Sequence, residues 1–110
     1  MNVKFITKKE KQQALAQYPL GGDMEQNVVA KFFNPYGQGT WYLMNMDKDE
    51  DYCWGIVNLF ETEIGSFSLK ELEHTPIPTP FGNMKIERDR FFEPMPAKEV
   101  WERLQDGQHV

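Results

Sequence analysis

Three observations predict an α+β fold: a largely antiparallel sheet of about five strands, bracketed by an N-terminal and a C-terminal helix. Helix signals stand near both ends, Thr7-Lys8-Lys9-Glu10 and Pro96-Ala97 leading on to Gln105. Between them lie dense β-forming runs separated by turn residues. Those runs are apolar on both faces rather than strictly alternating, the pattern of a sheet covered on both sides or curled on itself. With 110 residues the chain is read as one domain, 1–110, with no room for a second core.

The first helix opens on a capping box. Thr7 accepts from the amide three residues on, and Glu10 reaches back. It runs to about Tyr18, because Pro19 and Gly21-Gly22 continue a helix poorly. Its thin apolar face, Ala14, Leu15 and Tyr18, suits a helix lying on a sheet. Val28 to Phe33 is the first strand and Thr40 to Met46 the second, joined as a hairpin by the turn-rich 34–39 segment. Asp47 to Asp51 is a solvated loop whose like charges discourage edge pairing. Tyr52 to Asn58 is the third strand and Glu61 to Phe67 the fourth, with Gly65 as a bulge position.

Ser68 to His74 is a short helix with a second capping box, Ser68 with Glu71. Proline at every second position of Thr75 to Pro80 excludes helix and removes ladder donors, so this segment reads as an extended connector. Phe81-Gly82-Asn83 turns into a fifth strand, Met84 to Asp89. The last helix covers Ala97 to Gln105. Pro96 fits its start, Val100, Trp101 and Leu104 form its apolar face, and Gly107 stops it.

Aromatic content is high, with 3 Trp, 4 Tyr and 8 Phe, and eight of these lie between Phe32 and Phe60. Their place on strands apolar on both sides assigns most of them to the core. The net charge of −5 is uneven: residues 1–20 sum to +3 and residues 47–73 to −6. An acidic middle opposes non-specific binding to a phosphate backbone and favours basic protein partners. One cysteine closes no intrachain disulfide, and with two histidines it makes a poor zinc set. The start, Met1 to Lys9, has no apolar run of signal-peptide length, and no stretch approaches the ~18 apolar residues of a membrane span. The expected compartment is the cytoplasm, with no membrane partner.

No catalytic constellation, metal set or cofactor motif emerges, so none of the three is assigned. Gly37-Gln38-Gly39 is not followed by the helix a nucleotide-binding turn needs. Cys53 lies inside an apolar strand and reads as a buried, inert thiol. Asp47, Asp49 and Asp51 have the spacing of a calcium loop, but Tyr52 and Asn58 stand where glycine and glutamate are required. Glu87-Arg88-Asp89-Arg90 is the most suggestive polar cluster. Alternation puts Glu87 and Asp89 on one side and Arg88 and Arg90 on the other, as carboxylates for acid–base work or arginines for an anion. Glu63 shares a strand face with Glu61 and is placed to meet a backbone amide at a bulge. Trp41, Tyr42 and Trp54 are the aromatics for a recognition surface.

The order of these segments resembles a family of small bacterial proteins of unknown function. That family is carried on plasmids, integrative elements and phage-like regions, often near conjugation and antirestriction genes. The matching segments are Val29 to Phe33 with Pro35 and Gly37, Thr40 to Leu43, Trp54 to Leu59, Glu63 to Leu69 with Glu71-Leu72, and Glu87 to Asp89 with Phe92 and Pro94. The resemblance spans about residues 3–104 and implies a setting, with no catalytic residue to carry over. It differs at Cys53 and Trp54, which stand in a strand that is plainer in the family.

Three readings follow. The first is a non-catalytic protein-interaction module of a mobile element, docking through the acidic residues Asp49, Glu50 and Asp51 in one form. The second is a single-strand nucleic-acid binder, with Trp41, Tyr42 or Trp54 beside Lys4, Lys8, Lys9 and Lys11. The third is a small enzyme, which requires Glu63, Glu87 or Asp89 to converge in a pocket.

Overall fold

The computed structural model describes residues 5–110. Helix α1 (Lys8–Gln17) begins at the expected capping box, both halves of which are formed, and runs into a 3-10 turn at Tyr18–Leu20. Next come β1 (Asn27–Val28), β2 (Ala30–Phe33), β3 (Thr40–Met46), β4 (Tyr52–Asn58) and β5 (Thr62–Ser68). Helix α2 (Leu69–His74), β6 (Pro76–Thr79), β7 (Gly82–Lys85), β8 (Glu87–Arg88), β9 (Met95–Pro96) and α3 (Ala97–Gln105) complete the order. The main sheet is five-stranded and antiparallel, in the order β5-β4-β3-β2-β8. The α+β fold with terminal helices stands as read from the sequence.

Both faces of the sheet are covered. On one, Phe32, Leu43, Met46 and Cys53 pack with Ala14 of α1 and with Leu69 and Leu72 of α2. On the other, Tyr42, Met44 and Ile56 pack with Ala97 and Val100 of α3. This sandwiching is why the strands are apolar on both sides. Among the described residues, no helix is long and apolar enough to cross a membrane.

Four local expectations are corrected. The run Val28 to Phe33 is two strands: β1 leaves to pair with β9, while β2 pairs with β3 and β8. The bulge is not at Gly65, which pairs in unbroken register with Gly55. It lies in β3, where the register to β4 shifts between Leu43 and Asn45. Gly55 faces that irregular strand, and a Cβ there would stand 2.2 Å from the Tyr42 carbonyl oxygen. The proline connector is a strand, β6, in an antiparallel hairpin with β7. Prolines at alternate positions leave the N–H groups of Ile77 and Thr79 for the partner and put the prolines on the open edge. Finally, the expected fifth strand is divided between β7 and β8 around buried Ile86.

The acidic loop is more than a solvated turn. Asp47 Oδ1 accepts the amides of Asp51 and Tyr52 at 3.1 and 3.2 Å. Glu50 pairs with Lys11 of α1, and Asp51 accepts the Ser68 hydroxyl. Ser68 itself accepts the Glu71 amide at 3.1 Å and caps α2, but the return bond from the Glu71 side chain that would complete the expected capping box is not among the bonds of the described residues.

Candidate functional site

Strand β8 sorts the Glu87–Arg90 cluster onto two sides. Arg88 lies opposite Phe32 and Glu87 opposite Phe33, so alternation sends Arg88 toward α1 and Glu87 the other way. The Arg88 guanidinium grips the Glu10 carboxylate with two bonds of 2.7 and 2.6 Å, both side chains nearly buried. Glu10 also accepts the Thr7 amide at 2.8 Å. Burial alone would raise the Glu10 pKa, but the Arg88 pair and the Thr7 amide together hold it below its usual value. Arg88 is therefore engaged as a clamp between α1 and β8. A cleft of about 480 Å³ lies beside it, lined by Phe5, His74, Lys85, Glu87 and Arg90.

The opposite side of β8 carries the less ordinary chemistry. Asp89 donates its amide to the Lys31 carbonyl at 2.9 Å, which sets the Asp89 carboxylate 3.8 Å from Lys31 Nζ. Lys31 is only 6% exposed. Its ammonium donates to the main-chain oxygen of Val110 and lies 5.8 Å from the centroid of the Tyr42 ring. The Tyr42 hydroxyl reaches the same Val110 oxygen at 3.5 Å. Burial, with the Asp89 charge behind it, pushes the Tyr42 pKa up to about 12, so the hydroxyl remains a donor. Lys31 and Asp89 line a cleft of about 440 Å³ with the 34–39 loop, Asn58, Leu59 and His109.

The other sequence candidates separate. Tyr42 is 2% exposed, leaving no open ring face for stacking a base. Trp41 and Trp54 are half-buried and pack against opposite cores; a Cβ on Gly22 would touch the Trp54 ring at 3.4 Å. Lys4 lies outside the described residues, and Lys11 is paired with Glu50. Glu63 is exposed on β5 and Glu87 on β8, at opposite edges of the sheet. Four strand spacings separate them, about 19 Å. Glu63 therefore does not share a pocket with Glu87. The Cys53 thiol is buried, and burial is the main cause that pushes its pKa up to about 12.

Lys31 was not among the sequence candidates. Its signal was a single lysine inside the apolar run Val28 to Phe33. Also unanticipated is a polar knot at the β3 bulge. Gln17 donates to the Met44 and Asn27 carbonyls at 2.7 and 3.0 Å, and Asn45 donates to Gly21 and Gln26. The Gln17 bond to Met44 occupies a carbonyl inside the register shift, and the others tie the 21–27 segment to it.

A family model described as a protein of unknown function, DUF2958, matches residues 4–107. The chain belongs to the DUF2958 family. No curated protein and no solved structure matches it. The DUF2958 match takes in the Arg88 clamp, Lys31, Tyr42 and Asp89, and ends at Gly107.

Proposed function

We propose that this DUF2958 protein is a cytoplasmic protein-interaction module, an accessory protein of a bacterial mobile element, that holds a basic segment of a partner at the loop end of its sheet. Phe60 carries this reading. It stands 93% exposed in the turn between β4 and β5. Burying such a side chain on a partner is worth about 2–3 kcal/mol. Leu59 beside it and Tyr36 on the β2–β3 loop are exposed as well. The two loops adjoin, since a Cβ on Gly39 would lie 3.1 Å from Leu59. Exposed Glu61 and Glu63 follow Phe60 directly. An aromatic anchor beside acids favours a basic protein segment and repels a phosphate backbone. The acidic 47–51 loop suits docking less, because Glu50 and Asp51 are already held by Lys11 and Ser68. The mobile-element setting is what the sequence resemblance implies.

The test is affinity capture from a bacterial lysate, followed by binding measurements with the purified partner. Phe60→Ala is expected to weaken that binding at least tenfold. Glu61→Lys with Glu63→Lys should weaken it further at low salt, while Asp49→Lys leaves it unchanged. Equal binding by wild type and Phe60→Ala overturns the reading. So does tight, salt-sensitive binding of a single-stranded oligonucleotide in place of any protein.

A further inference from the structure

We propose that Lys31 and Tyr42 form a recognition site for a main-chain oxygen, carbonyl or terminal carboxylate, of a bound peptide, and that residues 108–110 of the chain occupy it from within. The proposal rests on the interaction reading above and names the floor of that site and what closes it.

A buried ammonium needs acceptors for its N–H groups. Among the described residues, the main-chain oxygen of Val110 is the one hydrogen-bond acceptor that Lys31 reaches, and Asp89 stands farther off at 3.8 Å. Lys31 and Tyr42 are register partners on β2 and β3, so two donors built on the main sheet face one oxygen, Lys31 directly and the Tyr42 hydroxyl at 3.5 Å. Asp89 balances the lysine charge. The pair therefore suits a neutral carbonyl or a single carboxylate oxygen and disfavours a phosphate dianion.

The occupying segment follows directly on α3. Gly107, at φ 75°, ends α3 with its own N–H donated to Leu104 and that of Gln108 donated to Arg103, at 3.1 and 2.8 Å. This closing motif turns the chain back across the sheet. Beyond it, Gln108 and His109 are exposed, and Val110 packs against the α3 core. His109 lines both the Lys31 cleft and a neighbouring one bounded by Phe92 and Met95, and Asp89 lines both as well. Lifting residues 108–110 removes what stands between the two clefts and uncovers Lys31, with the Tyr42 hydroxyl beside it.

The experiment compares the intact chain with one lacking Gln108–Val110. The probe is a synthetic pentapeptide, Asp-Gly-Gln-His-Val, made with a free carboxylate and with a C-terminal amide. Binding is followed by NMR titration. The shortened chain is expected to bind at least tenfold more tightly than the intact one, with the largest shifts at Lys31, Tyr42 and Asp89. Binding of both peptides supports a carbonyl as the recognised group, and binding of the carboxylate form alone supports a chain terminus. Tyr42→Phe in the shortened chain should weaken binding severalfold, and Lys31→Met should abolish it. If the shortened chain fails to fold, excess peptide should displace the Val110 signals of the intact protein.

Equal binding by both chains, no binding and no displacement, or a preference for inorganic phosphate overturns the proposal. A purified partner that needs Phe60 yet ignores removal of 108–110 and Tyr42→Phe overturns this inference alone. A partner indifferent to Phe60→Ala overturns the interaction reading and leaves the peptide titration standing.

Discussion

Arg88 and Glu10 show how one pair of side chains ties distant parts of the chain together. Their bidentate contact joins the first turn of α1 to an edge strand 78 residues away. Removing one partner from a nearly buried pair leaves the other charge uncompensated, so Arg88→Ala is expected to cost about 3 kcal/mol in urea denaturation. Glu10→Gln combined with Arg88→Met should recover part of that loss. The pair also sets a pH dependence. The folded Glu10 pKa lies below its ordinary value of 4.5, so above 4.5 its contribution to stability is complete. Between the two values the unfolded chain takes up a proton that the folded chain refuses. Stability therefore falls on acidification, through the lowered folded pKa. Denaturation at pH 6 and pH 3 should show a smaller difference for Arg88→Met than for wild type. At this scale the sequence showed which residues carried unusual chemistry in β8. It did not show that Arg88 was already paired, because its partner lies across the fold.

Among the elements, those specified by local chemistry were the most legible. The Thr7–Glu10 capping box, the 34–39 hairpin loop and the stop at Gly107 all appear where the residues place them. Each rests on contacts within a few residues. The β3 bulge was not legible, because it is decided by what faces it. Gly55 and Gly65 look alike in the sequence, yet their roles are opposite. At Gly55 a Cβ would meet the Tyr42 carbonyl at 2.2 Å, and at Gly65 it would meet nothing within 4 Å. Gly55→Ala is thus expected to cost about 3 kcal/mol or more, since backbone blocks the new methyl. Gly65→Ala should stay within about 0.5 kcal/mol. Chemical denaturation of the two variants checks both. Equal losses would contradict the close backbone approach at Gly55.

Across the whole molecule, stability is uneven. β3 and β4 lie inside the five-stranded sheet between two cores, while β6 and β7 form a separate two-stranded hairpin ending at exposed Phe81. Ile77 is the hairpin residue that packs on the main core. A two-stranded hairpin with one anchor opens more readily than a sheet covered on both faces. Amide hydrogen exchange should therefore run at least a hundredfold faster over residues 77–85 than over β3 and β4, read residue by residue by NMR. The sequence by itself determined the α+β class, the two terminal helices and a sheet apolar on both faces, since propensity, capping and periodicity are local properties. Only the tertiary structure decided the order β5-β4-β3-β2-β8. That order puts Glu63 and Glu87 at opposite edges and brings Lys31 and Tyr42 to one oxygen of Val110, with Asp89 beside Lys31. The reason is physical. Strand order and side-chain convergence depend on contacts between residues far apart in the chain, and no local pattern records them.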